Sequence, residues 1–339
     1  MSVTMQEIAS LAGVSRGTVD RALHDRGRID PEVKKSILEI ADSLGYSPCR
    51  KTSARTYAYR IGVITFLSER AFADELNHGI QQAKKELELL DIEVLIRKCP
   101  DISEASELQA IDELLREGIS ALAIMPVDSS LIRSRLNEVT EHFHIPVVTF
   151  NADIVGTHRL CFVGMDNARS GHTAAGLMAM LTGGSGNILV LTGSFSNNAY
   201  SNRVDGFVQE IKTSYPSMKI IGVQCTFDDE KEIESILQAA FLGNQNIAGI
   251  LVTSAHQEGV ENAFRKLNIE KAPHVIFYDR TACTEEALMH GNGDFIIEQD
   301  CYSQGYQAAH ILANYLLKQQ TPDEEYLYTD IVIKTKYNL

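Results

Sequence analysis

The stretch VTMQEIASLAGVSRGTVDR, residues 3–21, decides the fold of the first part of the chain. Thr4 and Glu7 have the spacing of a capping box and therefore predict the start of a helix. Gly13 interrupts the helical pattern and supplies the permissive backbone that a tight turn requires. Ser15 then stands where it can cap a second helix. The stretch predicts two short helices joined by a tight turn.

A third helix and a linker follow this pair. Asp30 and Pro31 have the order of an N-cap followed by a first helical residue. Apolar residues recur at helical spacing over 33–44, and the glycine directly after them is typical of a helix C-terminus. Residues 49–60 are polar, basic and aperiodic. We therefore predict an all-helical domain over residues 1–48 and a hinge over 49–60.

The first 48 residues resemble the helix-turn-helix domain of the lac repressor family, including the R-x-x at 26–28 and the L-G-Y-x-P run at 44–48. The resemblance implies a sequence-specific DNA-binding transcription regulator, by family default a repressor, whose second helix lies in the major groove. It also implies that polar residues of this domain and of the hinge contact DNA. These residues are Thr4, Gln6, Ser15, Arg16, Gly17, Thr18, Asp20, Arg21, His24, Arg28, Arg55 and Tyr57.

Some of these residues have a clear chemical rationale, and others depart from the family pattern. Arg16 and Arg21 suit guanine, because a guanidinium can bond O6 and N7 together. Asp20 replaces a small hydroxyl residue, and its carboxylate repels DNA unless it accepts from a cytosine amino group. Arg55 falls near the position of the family's minor-groove leucine, for which Tyr57 is a substitute wedge. A solvated polar helix face is the alternative interpretation.

Charge and cysteine usage restrict the class of protein further. The net charge is −14, yet residues 1–60 carry ten Lys and Arg against seven Asp and Glu. Such a distribution orients the first domain towards phosphates and repels the remainder from them. The six cysteines form no C-x-x-C pair, which favours reduced thiols over disulfides or zinc. Without a secretory signal or a long apolar run, we expect a cytoplasmic protein with no membrane, metal or cofactor partner.

After the hinge, short apolar strands alternate with helices, which predicts parallel sheets covered on both faces. About eleven strands are too many for one comfortable sheet, so two α/β lobes are predicted. The predicted fold is α/β: an all-α helix-turn-helix head joined to a two-lobed core of parallel sheets over 61–339. We place the first lobe at about 61–158 and 291–324, and the second at about 159–290 and 325–339.

Polar residues follow several predicted strands, where open α/β sheets bind their ligands. The candidate ligand-binding residues are Arg70, Phe72, Asn151, Asp153, Asn197, Arg203, Ser254, Asp279 and Gln299. Such a set suits a polyhydroxylated ligand, because a hydroxyl can donate to Asp and accept from Asn or Arg, while a ring stacks on Phe. Capping of the next helix is the alternative for each Asp and Asn.

Residues 61–325 resemble the type I periplasmic sugar-binding proteins, especially the ribose-binding ones. The run Arg203-Val-Asp-Gly-Phe matches the family motif R-x-x-G-F, whose arginine contacts the sugar. Further family ligand positions are matched by Phe72, Asn151, Asp279 and Gln299. The resemblance implies a sugar or sugar derivative bound between the lobes. Glu69 and Arg70 replace the family's paired amides, so Arg70 beside Arg203 could instead suit a sugar phosphate or acid.

Two motifs that would suggest an enzyme lack the required context. The glycines at 183–186 precede a predicted strand, whereas a dinucleotide-binding fingerprint follows its strand. Residues 13–17 match G-x-S-x-G, but a helix instead of a strand precedes Ser15. We therefore predict that the protein is not an enzyme. A regulator whose core binds a partner protein remains the other alternative.

A homodimer is expected, because paired helix-turn-helix domains match a pseudo-palindromic operator in double-stranded DNA. An effector bound between the lobes would change their angle and thereby the spacing of the two DNA-binding domains.

Overall fold

The structure is a computed structural model that describes residues 4–23, 29–44, 57–66, 71–195, 197–243, 246–254, 257–269 and 272–339. The chain divides into two compact units, Met1–Thr56 and Tyr57–Leu339. The first unit has one apolar core, and the second has four apolar clusters that lie on the faces of two sheets.

The first unit contains, within its described residues, the helices α1 (Met5–Leu11), α2 (Arg16–Leu23) and α3 (Pro31–Ser43). They enclose a core of Ile8, Ala9, Val19, Ala22, Ile37 and Ala41. The predicted capping box is confirmed, because the Thr4 hydroxyl accepts from the Glu7 backbone N–H and the Glu7 carboxylate accepts from that of Thr4. Gly13 adopts a φ of +65° in the turn between α1 and α2, as the sequence predicted.

The second unit contains two six-stranded sheets. The strands of the first sheet are β1 (Tyr59–Phe66), β2 (Ile92–Cys99), β3 (Ala121–Ile124), β4 (Val147–Phe150), β5 (Cys161–Met165) and β11 (Tyr326–Thr329). Those of the second are β6 (Gly186–Thr192), β7 (Met218–Cys225), β8 (Ile247–Val252), β9 (His274–Tyr278), β10 (Phe295–Glu298) and β12 (Val332–Lys334).

Helices cover both faces of each sheet. They are α4 (Ala71–Glu88), α5 (Glu104–Arg116), α6 (Ser130–Glu141), α7 (Asn167–Thr182), α8 (Asn198–Ser214), α9 (Glu230–Leu242), α10 (Glu258–Leu267), α11 (Ala282–His290) and α12 (Cys301–Lys318). In the described part of the chain, none of the helices is long and apolar enough to cross a membrane.

The sheet order confirms the predicted two-lobed α/β core. The first sheet has the order β11-β5-β4-β3-β1-β2 and is parallel throughout. The second has the order β12-β10-β9-β8-β6-β7, in which only β12 runs antiparallel to its neighbour. The first sheet packs between α4 with α12 and α5 with α6, and the second between α7 with α8 and α9 to α11.

The predicted lobe boundaries each fall one strand too early. Strand β5 was assigned to the second lobe, but it pairs with β4 in the first sheet. Strand β10 pairs with β9 in the second sheet, and β11 pairs with β5 in the first. A short apolar strand fits either sheet equally well, and its membership is decided by long-range pairing that local patterning does not encode.

The glycine run at 183–186 lies where the sequence placed it, before a strand. Gly183 ends α7 with a φ of +68°, and Gly186 begins β6. The order is therefore helix, glycines and strand, the reverse of a dinucleotide-binding turn.

Candidate functional site

The second helix of the first unit carries the side chains that were predicted to read DNA. Arg16 and Arg21 are both exposed on α2. The Arg21 Nε donates to the backbone oxygen of Gly17 at 3.1 Å, so its guanidinium lies back along its own helix. Of the remaining predicted residues, the exposed ones are Thr4, Gln6, Ser15 and Gly17, and the half-buried ones are Thr18 and Asp20.

The Ser15 hydroxyl caps α2, as predicted. It accepts from the backbone N–H of Thr18 at 3.2 Å and lies 2.9 Å from the Thr18 hydroxyl. His24, Arg28 and Arg55 lie outside the described residues. Tyr57 is half-buried and belongs to the second unit, where its neighbour Ala58 donates its backbone N–H to Asp91 at 2.8 Å. Tyr57 therefore stands at the beginning of the core fold.

Arg203 is the centre of the candidate site in the second unit. Its side chain is only 2% exposed, although it carries a full positive charge. The Nε donates to the Asn167 carboxamide at 2.9 Å, and one Nη donates to the backbone oxygen of Thr253 at 2.9 Å. The guanidinium also lies 4.3 Å from the centre of the Tyr278 ring, a cation–π contact. Five N–H donors are available on a guanidinium, and neutral oxygens take two of them here.

A line of polar side chains joins Arg203 to the first lobe. Asp279 lies 3.7 Å from Arg203 and accepts a hydrogen bond from the Gln299 carboxamide at 2.7 Å. The oxygen of the same carboxamide accepts from Asn151 at 3.3 Å. Asn151 follows β4 of the first lobe, and Asp279 follows β9 of the second. The structure thus brings four of the predicted ligand residues of both lobes together.

Asn151 and Asp279 share an uncommon backbone conformation. Each has a φ of +62° directly after the last residue of its strand. Short polar side chains tolerate this left-handed region better than other non-glycine residues do. The turn at each strand end therefore places a polar residue at the carboxyl edge of its sheet.

Two glycines set the position of Arg203 on α8. A Cβ at Gly171 of α7 would lie 2.2 Å from the backbone oxygen of Arg203, and one at Gly206 would lie 2.1 Å from that of Ala168. Real Cβ atoms do not approach a carbonyl so closely, so only glycine permits this crossing of α7 and α8. Asn167, which binds Arg203, begins α7. The close crossing therefore fixes the arginine against its partner.

Asp153 was predicted to bind the ligand, but its carboxylate is bound by other side chains of the protein. Its two carboxylate oxygens accept from Nε and Nη2 of Arg159, both at 2.7 Å, and one also accepts from the Thr149 hydroxyl. The side chain of Arg159 is 2% exposed and also donates to Glu325 at 2.8 Å. This bidentate pair fixes the loop after β4. It also occupies the Asp153 carboxylate oxygens, which would otherwise accept from the hydroxyl groups of a sugar.

The remaining predicted ligand residues stand apart from this line or outside the described part. Asn197 caps α8 by accepting from the backbone N–H of Ala199 at 2.9 Å. Ser254 is 1% exposed, its hydroxyl lies 3.5 Å from that of Thr226, and it directly follows the Thr253 that binds Arg203. Arg70 and the side chain of Phe72 lie outside the described residues.

A small cavity of about 20 Å³ opens beside the line of polar residues, and it has a negative wall. It is lined by Glu75, Asp279, Arg280, Glu298, Gln299, Asp300 and Cys301. Arg280 is paired with Glu285 and lies 3.9 Å from Glu298. Burial raises the pKa of Glu298, and Lys334 at 3.7 Å opposes that rise. Four carboxyl groups therefore face this space against one guanidinium.

Sequence reasoning missed three residues near the site. Gln304, fully buried on α12, accepts from Asn151 at 2.9 Å. A polar residue on an otherwise apolar helix face was the available signal. Phe227 follows β7 at the carboxyl edge of the second sheet and is 72% exposed with a φ of +51°. Tyr278 is fully buried, and its ring also contacts Arg203.

Comparisons with known proteins agree with this arrangement. Residues 61–320 match the periplasmic binding protein domain, and residues 4–49 match the bacterial regulatory proteins of the lacI family. The chain is 23% identical over 334 residues to catabolite control protein A from Priestia megaterium, with 94% of each chain covered. It is 24% identical to the HTH-type transcriptional regulator DegA from Bacillus subtilis, over 77% of this chain and 79% of that one.

Solved structures show the same core fold. An arabinose-binding protein from Geobacillus stearothermophilus superposes with a TM-score of 0.74 at 22% identity, over 83% of this chain and 97% of that one.

Three findings lead to one assignment. They are the helix-turn-helix head, the two-lobed core and the relatives that match over the full length. The chain belongs to the lacI family of DNA-binding transcription regulators, and its core is a periplasmic binding protein domain.

Proposed function

We propose that this protein is a repressor that binds a pseudo-palindromic operator as a homodimer in the cytoplasm. A neutral monosaccharide or polyol that binds between the lobes releases it from DNA. One observation carries the effector part of this proposal. Polar side chains of both lobes form a continuous line, with hydrogen bonds from Asn151 through Gln299 to Asp279 and an ion pair at 3.7 Å from Asp279 to Arg203.

The chemistry of this line suits adjacent hydroxyl groups. Each hydroxyl of a sugar can donate to the Asp279 carboxylate and accept from a carboxamide or guanidinium N–H. Gln299 and Asn151 present both a donor and an acceptor, so one such residue can bond two neighbouring hydroxyls. The arabinose-binding protein with the same core fold supports a ligand of this class.

Charge favours a neutral effector over a sugar acid or phosphate. Arg203 already has Asp279 beside it, and the nearby cavity has four carboxyl groups against the guanidinium of Arg280. An anionic ligand in this poorly solvated site would be repelled by these carboxyl groups. The alternative that the sequence left open, an anionic effector read by Arg70 and Arg203, would need the charge of Arg70 to outweigh those carboxyl groups.

An aromatic face completes the proposed sugar site. Exposed aromatic side chains at a ligand-binding edge bury apolar surface when a ring stacks on them. Phe227 has this exposure and stands after β7 at the same edge of the second sheet as Arg203's partner Thr253. We assign Phe227 to one face of the sugar ring, opposite the face on which Phe72 is predicted to stack.

The effector proposal is tested by thermal shift with the full chain. Pentoses, hexoses and polyols are compared with sugar acids and sugar phosphates. A ligand at 100 times its Kd should stabilise the core by about 2.7 kcal/mol. We expect a neutral compound to give this shift and Asp279→Asn to lose it. Asp229→Asn is the matched control, since Asn caps a helix as well as the Asp that it replaces at the start of α9.

The possible outcomes separate the alternatives. A shift given only by acids or phosphates would contradict the neutral effector and favour the anionic one. If no compound shifts the melting temperature while operator binding persists, a core that binds a partner protein becomes the better explanation.

The DNA part is tested by mobility shift and sedimentation. Phosphate contacts make affinity fall steeply with salt, so we expect a strongly negative slope of log K against log salt. Arg16→Ala should weaken operator binding and relax the preference for a guanine, by about 1–3 kcal/mol of discrimination. A flat salt response, or a monomer that binds the operator as well as the dimer, would contradict the proposed mode.

A further inference from the structure

The chain crosses between the two lobes at three places. It crosses after β5, after β10 and after β11, because each of these strands is followed by an element of the other lobe. Any change in the angle between the lobes must be absorbed by these crossings. Residues that join the crossings to one another therefore decide whether they move as one hinge or separately.

Gln304 joins two of the three crossings. Its Nε2 donates to the backbone oxygen of Gln299 at 2.5 Å, in the crossing after β10. The same Nε2 donates to the hydroxyl of Thr329 at 3.3 Å, at the crossing after β11. The Thr329 hydroxyl in turn donates to the Gln299 oxygen at 3.0 Å. Two donors thus hold one carbonyl, and both of its lone pairs are used.

The same side chain also contacts the proposed effector site. The side-chain oxygen of Gln304 accepts from the Asn151 carboxamide at 2.9 Å. The side-chain oxygen of Gln299 accepts from the same carboxamide at 3.3 Å. An Asn carboxamide has two N–H donors, one for each of these oxygens. Gln299 therefore has its backbone held at the hinge by Gln304, while its side chain reaches Asp279 of the second lobe.

Because Gln304 is buried, its carboxamide must form all of its hydrogen bonds within the protein. Gln304 is 0% exposed and lies on the apolar face of α12 that packs against the first sheet. A buried carboxamide is unfavourable unless its N–H groups and oxygen are bonded, and here they all are. An apolar side chain would serve packing at least as well. The polar residue is thus explained by the bonds that it makes to the crossings.

We infer that Gln304 is a positioning residue that ties the crossings after β10 and β11 into a single hinge, and thereby couples effector binding at Gln299 to the angle between the lobes. An effector that bonds to Gln299 and Asn151 changes the bonds of two residues that Gln304 holds, Asn151 by its side chain and Gln299 by its backbone oxygen. The inference rests on the proposed function for the identity of the signal, but the joined hinge is a property of the core itself.

The first test measures coupling in the full chain. The coupling factor is the ratio of operator Kd values with and without saturating effector, typically about 5–150-fold. Gln304→Met keeps the length of the side chain and removes its hydrogen bonds. We expect the factor to fall by about fivefold or more. Gln257→Met is the matched control, because Gln257 is also buried and its carboxamide donates to the backbone oxygens of Ser254 and Tyr278, both in the second lobe. It should keep the factor within about twofold.

A second test needs no effector. Hydrogen exchange of the full chain reports opening of the peptides that contain residues 295–304 and 325–335. Gln304→Met should speed exchange at both crossings together, and Gln257→Met at neither. Thr329→Val removes the other donor to the same carbonyl with little change of shape. It should act in the same direction, and the double variant should be less than additive, because both residues hold one group.

The outcomes distinguish the two proposals. A wild-type coupling factor in Gln304→Met with unchanged exchange would overturn the inference. Faster exchange at only one crossing would also overturn it, since a single hinge must open as a unit. If the wild-type chain responds to no effector, the proposed function fails, and the exchange experiment still decides the hinge. If Gln304→Met does not fold, Thr329→Val carries both tests.

Discussion

Two arginines of the core, Arg159 and Arg203, are buried equally, with 2% of each side chain exposed, but they differ in the groups that compensate their charge. Arg159 has Asp153 bound bidentately at 2.7 Å and Glu325 at 2.8 Å. Arg203 has two neutral oxygens at 2.9 Å and its carboxylate, Asp279, at 3.7 Å. One charge is thus neutralised by short bonds within the protein, and the other is not.

The difference separates a structural charge from a binding charge. A buried ion requires close compensation, and a protein that supplies it in full has little left to offer a ligand. Where a side chain of fixed orientation has N–H donors to spare, the hydroxyl groups of a neutral ligand can accept from them. Arg203 is oriented by Asn167 and by the Tyr278 ring, while the carboxylate beside it, that of Asp279, also accepts from Gln299. Burial alone would have assigned both arginines the same role.

The largest effect is expected on the stability of the structural pair. Arg159→Met leaves the carboxylate of Asp153 without its bidentate partner in a poorly solvated place. Breaking a buried ion pair in this way costs about 3–5 kcal/mol of unfolding free energy. Denaturant unfolding of the full chain measures the loss. The folded fraction should lose less effector affinity than Arg203→Lys does, because neither Arg159 nor Asp153 belongs to the line from Asn151 to Arg203. A loss of affinity at unchanged stability would reverse the roles of the two arginines.

A buried carboxyl that forms no ion pair with any of the residues that the structure describes extends the comparison. Glu107 is 0% exposed and accepts one backbone N–H, from Val127 at 2.8 Å. Burial raises its pKa to about 8, although the bond from Val127 opposes the rise. The folded state therefore holds the proton from about pH 4.5 to 8 while the unfolded state releases it. Stability must fall as pH rises through this window and level off above it.

Glu107→Gln tests this pH dependence. Gln resembles the protonated acid and does not titrate, so the difference in unfolding free energy isolates the carboxyl. We expect the wild type to lose up to about 1.4 kcal/mol per pH unit relative to the variant, between pH 5 and 8. Glu286→Gln, at an exposed position of α11, controls for the change in charge. A pH-independent difference would show that Glu107 is not protonated in the fold.

Substitution of Arg203 should reduce the affinity for the effector more than it reduces the stability of the fold. Arg203→Lys keeps the positive charge but loses the planar set of donors. Hydrogen bonds to a charged group contribute about 1.5–3 kcal/mol, so the effector Kd should rise about 10- to 100-fold. Titration calorimetry measures the affinity, and denaturant unfolding should show a smaller loss than for Arg159→Met. Equal losses of stability in both variants would remove the distinction between the two arginines.

Local patterns predicted much of this molecule and failed where distant partners decide. Capping residues and helical spacing predicted the first unit, and alternating strands and helices predicted the two-lobed core. Asn151, Arg203, Asp279 and Gln299 were all predicted and lie together. Asp153 looked equivalent, because a strand end does not reveal that Arg159, six residues on, takes its carboxylate. Gln304 was missed, since only the folded crossings give its amide a purpose.

The smallest effect is expected from the glycine that lets α8 bring Arg203 to its partner. In Gly171→Ala, the new methyl group would lie 2.2 Å from the backbone oxygen of Arg203, so α7 and α8 must separate. Overpacking of this kind typically costs about 1–3 kcal/mol, and the displaced arginine should weaken effector binding as well.

Gly176→Ala is the matched control on the same helix. Its new methyl group meets nothing closer than the Tyr215 hydroxyl at 3.9 Å, so it should leave affinity unchanged and raise stability by up to about 1 kcal/mol through helix propensity. Thermal unfolding and calorimetry of the two variants separate crowding from propensity. If Gly171→Ala binds the effector as tightly as the wild type, the close helix crossing does not position Arg203, and its fixed orientation must come from Asn167 and Tyr278 alone.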